Sequence, residues 1–246
     1  MGLLSRFLRV TFPVGEVGSH NGDRRVAWVE KILKTIPAGS TILDAGAGEL
    51  YFKKFCTHLR YTSQDFGQYN GKGDEGEHWG HWDTSHIDIR SDITAIPVPD
   101  NSFDAVMCCE VFEHIPEPAK AVREFSRILK PGGTLITTAP FCSLTHQAPY
   151  YFANGYSKYW YEKVFREHGL TIRELRVNGN FFNFIAQEIR RIPIMEKAYT
   201  DISVSSRLLY KIVVRILLSF IHKLDARDTN SSEMSCFGIL VMATKD

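Results

Sequence analysis

A doubly wound α/β fold is what the 246-residue sequence predicts, and three observations predict it. Short apolar runs alternate with helical patterns from Thr41 onward, as strands joined by crossover helices do. The first run, Thr41–Leu50, reads TILDAGAGEL and passes from an apolar strand through Asp44 into Gly46-x-Gly48, a turn at the strand's carboxyl end. A second carboxylate, Asp65, follows Asp44 at about the ~20-residue spacing of the ribose-binding acid in a nucleotide-binding βαβ unit. The length suits a single domain over 1–246, large enough for a substantial core.

Each element follows in order. Residues 1–39 are an N-terminal helical segment. Its helix, Asp23–Ile36, puts Val26, Val29, Ile32 or Leu33, and Ile36 on one face and closes before Pro37-Ala38-Gly39. The core, 40–145, comprises strand Thr41–Leu43, helix Tyr51–Leu59, strand Tyr61–Gln64, strand Phe103–Cys109, helix Ala119–Leu129 and strand Thr134–Thr138. The first core helix presents its free N–H groups to the glycine turn. A long glycine-rich, aromatic loop fills the interval from Asp65 to Asp92. The segment 146–180 holds helix Ser157–His168, closed by Gly169, and strand Thr171–Val177. A helical insertion, 181–235, precedes the final strand region, 236–246, where Cys236–Thr244 is apolar.

The glycine turn and the two acids describe an adenosine-type ligand. A dinucleotide fingerprint needs a third glycine three residues after the second, and Tyr51 stands there. Asp44 would repel a pyrophosphate and suits a ligand that carries positive charge.

Four further motifs stand in order behind the first. Ser91-Asp92-Ile93 precedes IPVPDNSFDAV, Phe103-Asp104-Ala105-Val106 opens a strand, CCEVFEHIPEP spans Cys108–Pro118, and KPGGTLITTAPF spans Lys130–Phe141. With TILDAGAGEL these resemble the motifs of S-adenosylmethionine-dependent methyltransferases of the Rossmann-like class, across roughly residues 40–145. One departure is Leu50, where many members have a third glycine in G-x-G-x-G. The resemblance implies a mostly parallel sheet with an antiparallel final strand, and S-adenosyl-L-methionine as cofactor. It assigns cofactor binding to Asp44, Ala45, Gly46, Gly48, Asp65, Phe66, Asp92, Ile93 and Glu110, with helix capping as another use of Glu110. Asp92 would meet the adenine amino group. The acceptor would lie above the loop after the fourth strand, beside the segment after the fifth.

In that segment, Pro140–Ser157, His146 is the catalytic candidate, a general base for a hydroxyl acceptor. Its competing use is to brace the loop or hold the acceptor. Tyr150, Tyr151 and Tyr156 shape the acceptor pocket or pack. Glu113-His114 is set aside as an acid–base pair because neighbours on a helix diverge. No metal site is expected: His78, His81, Asp83 and His86 are irregularly spaced, and Trp79 and Trp82 suit a loop folding over a ligand. The expected activity is methyl transfer, by O-methylation, to a small-molecule or glycan-type acceptor. The glycan hint is PYYFANGYSKYWYEKVF, which resembles segments of bacterial surface-polysaccharide methyltransferases. A non-catalytic scaffold that keeps the fold is the alternative. An NAD-dependent oxidoreductase is disfavoured by Tyr51 and Asp44.

A net charge of +1 argues against a nucleic-acid partner. The charge is uneven, however: Gly71–Glu117 has eleven acids and two bases, whereas Arg190–Arg227 has eight bases and three acids. Five cysteines without C-x-x-C spacing suggest neither a disulfide framework nor a zinc site, and Cys108 and Cys109, at the end of the fourth strand, are expected as buried thiols. The N-terminus MGLLSRFLRVTFPVG suits neither a signal peptide nor myristoylation, Arg6 holding the place of a Ser or Thr, so a cytoplasmic location is expected. Within 204–224, Arg207, Lys211, Arg215, Ser219 and Lys223 form a narrow stripe on a helix whose remaining surface is apolar. That surface needs a cover: the protein's own core, a homodimer seam or a peripheral membrane contact.

Overall fold

The structure is a computed structural model that describes residues 3–246 apart from Glu75 and Trp79, so the reading of Trp79 lies outside the described residues. The chain divides into two compact units, Arg24–Asn178 with Gly238–Asp246, and Met1–Asp23 with Gly179–Phe237.

The first unit is built on a seven-stranded sheet. Its strands are β1 (Thr41–Ala45), β2 (Arg60–Asp65), β3 (Ile89–Arg90), β4 (Phe103–Cys109), β5 (Leu129–Pro140), β6 (Leu170–Asn178) and β7 (Gly238–Lys245). Their order is β3-β2-β1-β4-β5-β7-β6, parallel except that β7 runs antiparallel to both neighbours. The mostly parallel, doubly wound sheet with an antiparallel final strand is therefore present. Ile42, Leu43 and Ala45 of β1 and Ala105–Cys108 of β4 are fully buried, the mark of central strands covered on both faces. The order reverses between β1 and β4, and ligands of such sheets bind at that switch point, beyond the strands' carboxyl ends.

Helices pack where their apolar residues recur at helical spacing. Helix α2 (Asn21–Leu33) buries Trp28, Val29, Ile32 and Leu33 against Ile42, Ala105, Met107 and Ile136. Trp28 Nε1 also donates to Glu174 of β6 at 2.8 Å, giving the indole its polar partner. Helix α3 (Pro118–Ile128) opens on a proline in its first turn and buries Ala121, Val122, Phe125 and Ile128. Helix α4 (Lys158–Glu167) buries Tyr161, Val164 and Phe165.

The expected helix Tyr51–Leu59 does not form: a single 3₁₀ turn, Lys53–Phe55, stands there. Leu50 adopts φ +61°, which stops a helix from starting, and Phe55, Cys56 and Thr57 are weak helix formers that cannot rescue it. No helix N-terminus therefore faces the glycine turn. The expected strand Thr134–Thr138 is longer, because the Lys130–Gly133 turn joins it within β5 and shifts its register against β4.

The second unit consists of α1 (Leu3–Thr11), α5 (Phe181–Tyr199) and α6 (Leu208–Asp225), the last two filling the expected insertion. Its core joins Val17, Ala186, Leu218 and Ile221. Asn180 caps α5 by accepting from the Asn183 N–H at 2.9 Å. Among the described residues, no helix is long and apolar enough to cross a membrane.

Candidate active site

The glycine turn lies at the end of β1, and its geometry requires glycine. Gly46 has φ +74°, and a Cβ there would stand 2.6 Å from Val111; Gly48 has φ +50°, and a Cβ there would stand 2.6 Å from the Trp82 ring. Ala45 is buried beneath the turn. At the end of β2, Asp65 accepts from Gly48 N–H at 3.0 Å and Gly67 N–H at 2.8 Å, so the second carboxylate shapes the turn that the first strand begins. Each of its oxygens still has a lone pair to offer. Phe66, the next residue, is exposed and meets Tyr150 edge-on at 4.9 Å.

Asp44 is buried and accepts from the Tyr61 hydroxyl at 2.6 Å. Burial pushes its carboxyl up to about 7, only partly offset by the tyrosine. Asp92 is exposed and holds Thr94 through its N–H and hydroxyl, both at 2.8 Å, while Ile93 is buried beside it. Glu110 follows β4 with φ +56° and is held on both oxygens, by Arg25 of α2 at 2.8 Å and by Thr138 of β5 at 2.9 Å. It does not cap a helix: the next element is a 3₁₀ turn, Phe112–His114, whose cap residue is Val111. Arg25 is a partner that sequence reading missed, since a base on an amphipathic helix reads as a solvated face.

The loop between β2 and β3 reaches the glycine turn through Trp82. Trp82 lies against Gly48, the Asp83 N–H donates to Glu49 at 3.2 Å, and Tyr69 packs on Trp82. The other side of the loop is stapled to the segment after β5: Glu77 N–H donates to Thr145 O and Gln147 N–H to Glu77 O, at 3.1 and 3.0 Å. One loop thus touches both the glycine turn and the segment after β5. The four polar residues do not gather as a metal site: His78 pairs with Tyr69 at 2.9 Å, and Asp83 turns back on Ser85.

Another group does gather. Glu113 Oε1 stands 3.9 Å from His114 Nε2 and 3.9 Å from His146 Nε2, and the ligand atoms of all three lie within 4.8 Å of one another. Setting Glu113-His114 aside rested on helix geometry. The segment is a three-residue 3₁₀ turn followed by extended chain, and both side chains reach the same place. His146 joins them because the Phe152 N–H bonds to Glu113 O at 2.8 Å and folds the segment back. Each imidazole lies by a carbonyl through Nδ1, His114 at Tyr150 O (2.5 Å) and His146 at Leu144 O (2.8 Å). A carbonyl cannot donate, so Nδ1 of each ring carries a proton, and each Nε2 turns toward Glu113.

Burial sets the charges of this group. Desolvation raises the Glu113 carboxyl well above the ordinary range, with Glu110 adding to it, and Glu113 Oε2 has no hydrogen-bond partner. Desolvation lowers His114 to about 4. Burial thus favours the protonated form of Glu113 and the neutral form of His114. Tyr151 and Tyr156 frame it with hydroxyls donated to Ser143 O at 2.8 Å and Phe112 O at 2.9 Å, so their polar ends are committed to backbone.

Residues 43–137, from β1 to the middle of β5, match the family model of the methyltransferase domain. The matched segment spans less than half of the chain. The likeness extends to a methyltransferase of uncharacterised role from Mycobacteroides abscessus, 29% identical over 138 residues, covering 53% of this chain and 52% of that protein. It extends also to the ubiquinone biosynthesis O-methyltransferase of Xanthomonas oryzae pv. oryzae, 46% identical over 52 residues, 21% of this chain and 20% of that protein. The chain thus spans about half the length of the first relative and a fifth of the second. Among solved structures, phosphoethanolamine N-methyltransferase 2 of Haemonchus contortus, in complex with S-adenosyl-L-methionine, superposes with a TM-score of 0.50 at 15% identity, covering 90% of this chain and 52% of that one. At that identity it establishes the fold. The matched segment holds the glycine turn, Asp65, Asp92, Glu110 and Glu113, whereas His146 stands just beyond it.

Proposed function

We propose that the chain transfers a methyl group from S-adenosyl-L-methionine to a hydroxyl of a small-molecule or glycan-type acceptor, in the cytoplasm, with His146 as general base. The observation that carries this reading is the position of the His146 ring, whose Nδ1 lies 2.8 Å from Leu144 O while Nε2 turns toward Glu113 at 3.9 Å. The residues present fit the cofactor. A glycine turn that a Cβ would fill stands beside Asp65, an acceptor suited to two ribose hydroxyls, with Phe66 exposed next to it. Asp44 ionises close to neutrality and suits the cation. Asp92 and Ile93 would meet the adenine, and Glu110 would close the pocket at the end of β4.

The cofactor supplies an electrophilic methyl on a sulfonium that leaves readily as a neutral sulfide. The protein's share is alignment and proton removal. His146 Nε2 takes the hydroxyl proton as the acceptor oxygen bonds to the methyl carbon. Tyr150 and Tyr151 shape the acceptor's surroundings. An oxygen acceptor agrees with the activity named for the Xanthomonas relative, and a glycan agrees with the aromatic segment after β5.

The test is formation of S-adenosylhomocysteine with a panel of hydroxylated sugars, phenols and quinols. Product with at least one hydroxyl acceptor, insensitive to chelator and depressed in His146→Ala, supports the reading. Abolition by chelator would make Glu113, His114 and His146 a cation site instead. Cofactor binding without turnover on any acceptor would favour the scaffold reading.

A further inference from the structure

We propose that the helical unit docks on an anionic lipid surface through the outward face of α6. That helix has two apolar faces. One is already used, with Leu218 and Ile221 packed against Val17 and Ala186 in the unit's core. The other carries Leu209, Val213, Ile216, Leu217, Phe220 and Leu224, spaced by three and four residues and all exposed; Leu209 is 72% and Phe220 59% accessible. Contiguous exposed apolar area of this kind marks an interaction site.

Charge identifies the occupant. From Ile202 to Leu224 the bases are Arg207, Lys211, Arg215 and Lys223, and there is no acid. Arg215 is committed, donating to Leu8 O at 3.0 Å and tying α1 alongside α6. That contact brings in α1, whose Arg6 and Arg9 are exposed and which also lacks an acid. An apolar stripe bordered by bases is what lies flat in the boundary between headgroups and acyl chains. No helix among the described residues is long and apolar enough to span, so the contact is in plane. A second copy of the chain fits less well. A symmetric seam along α6 would bring Lys223 toward bases of the other copy, and Asp225, the acid that ends the helix, is already held by Asn180 and Asn183.

The proposal does not depend on the reaction, so its test needs no acceptor. The full chain is mixed with phosphatidylcholine vesicles, with and without phosphatidylglycerol, and floated at low and high salt. Flotation with anionic vesicles is expected, weakened by salt and absent with neutral vesicles. Lys211→Gln and Lys223→Gln should each reduce partitioning about fivefold, the effect of ~1 kcal/mol per base near such a surface. Leu209→Asp with Phe220→Asp should abolish flotation without lowering Tm, since both side chains are exposed. No flotation with anionic vesicles at low salt overturns the proposal, as does equal flotation with neutral ones. So does a lipid-free dimer that the double variant breaks into monomers, which would assign the face to a second copy.

Discussion

Helices α3 and α6 obey the same sequence rule and end in opposite circumstances. In α3 the residues at helical spacing, Ala121, Val122, Phe125 and Ile128, are all fully buried. In α6, the longer helix, Leu218 and Ile221 are the buried apolar residues, and most of the large apolar side chains face outward. Periodicity says that a helix has an apolar face; it does not say what will cover it. For α3 the cover is a sheet whose strands are themselves legible. For α6 the periodicity runs almost all the way round, and only packing reveals which side the unit uses.

Breaking each helix at a phenylalanine should expose the difference. Phe125→Ala is expected to destabilise the fold by about 3–5 kcal/mol, because the cavity cannot collapse within a packed core. Phe220→Ala should change stability by less than about 0.5 kcal/mol, as exposed substitutions do. Chemical denaturation of the two variants checks this, and equal losses would erase the contrast.

The same contrast separates polar groups that have partners from those that lack them. His146→Ala should lower kcat by about 10²–10⁴ if Nε2 removes the proton in the transition state. A loss confined to KM would mean that the ring only holds the acceptor. Asp65 accepts one bond on each oxygen, from Gly48 and Gly67, and keeps a lone pair on each. Asp65→Ala should cost roughly 1.5–3 kcal/mol of affinity for S-adenosylhomocysteine in calorimetry, the loss typical of hydrogen bonds to a charged group. Unchanged affinity would remove the ribose assignment.

Glu113 is the opposite case, an acid with an unpartnered oxygen. Its folded pKa is raised, so its contribution is favourable below the ordinary glutamate value and is lost as pH rises through the folded value. Glu113→Gln has no proton to lose. The variant should therefore gain Tm relative to wild type as pH rises from about 4.5, near the ordinary glutamate pKa. Parallel melting curves across pH would show that Glu113 is not held neutral.

Much of the sheet was legible because strand signals are local: an apolar run, an acid at its end, a glycine to turn. The ends of β1, β2 and β4 follow the sequence expectation within a residue or two. The helix expected after the glycine turn was not legible, because the backbone of Leu50 depends on the fit of the whole turn. The polar cluster was hidden for another reason. His146 lies far along the chain from Glu113 and His114, and what joins them is backbone bonding by Phe152, which no spacing rule encodes. Arg25 is hidden in the same way, since its partner Glu110 belongs to another element.

The pairing of Asn178 with Gly238 carries a consequence for how the chain folds. Strands β6 and β7 form the last hairpin of the sheet, yet its turn is the whole segment Gly179–Phe237, about 60 residues where a short hairpin turn has two to five. By the logarithmic law of loop closure, joining the strands across that excursion costs roughly 2 kcal/mol more than a tight turn would. The antiparallel edge should accordingly zip late, after the helices have shortened the distance between its ends. A variant in which a glycine-rich turn replaces Gly179–Phe237 should close that edge sooner.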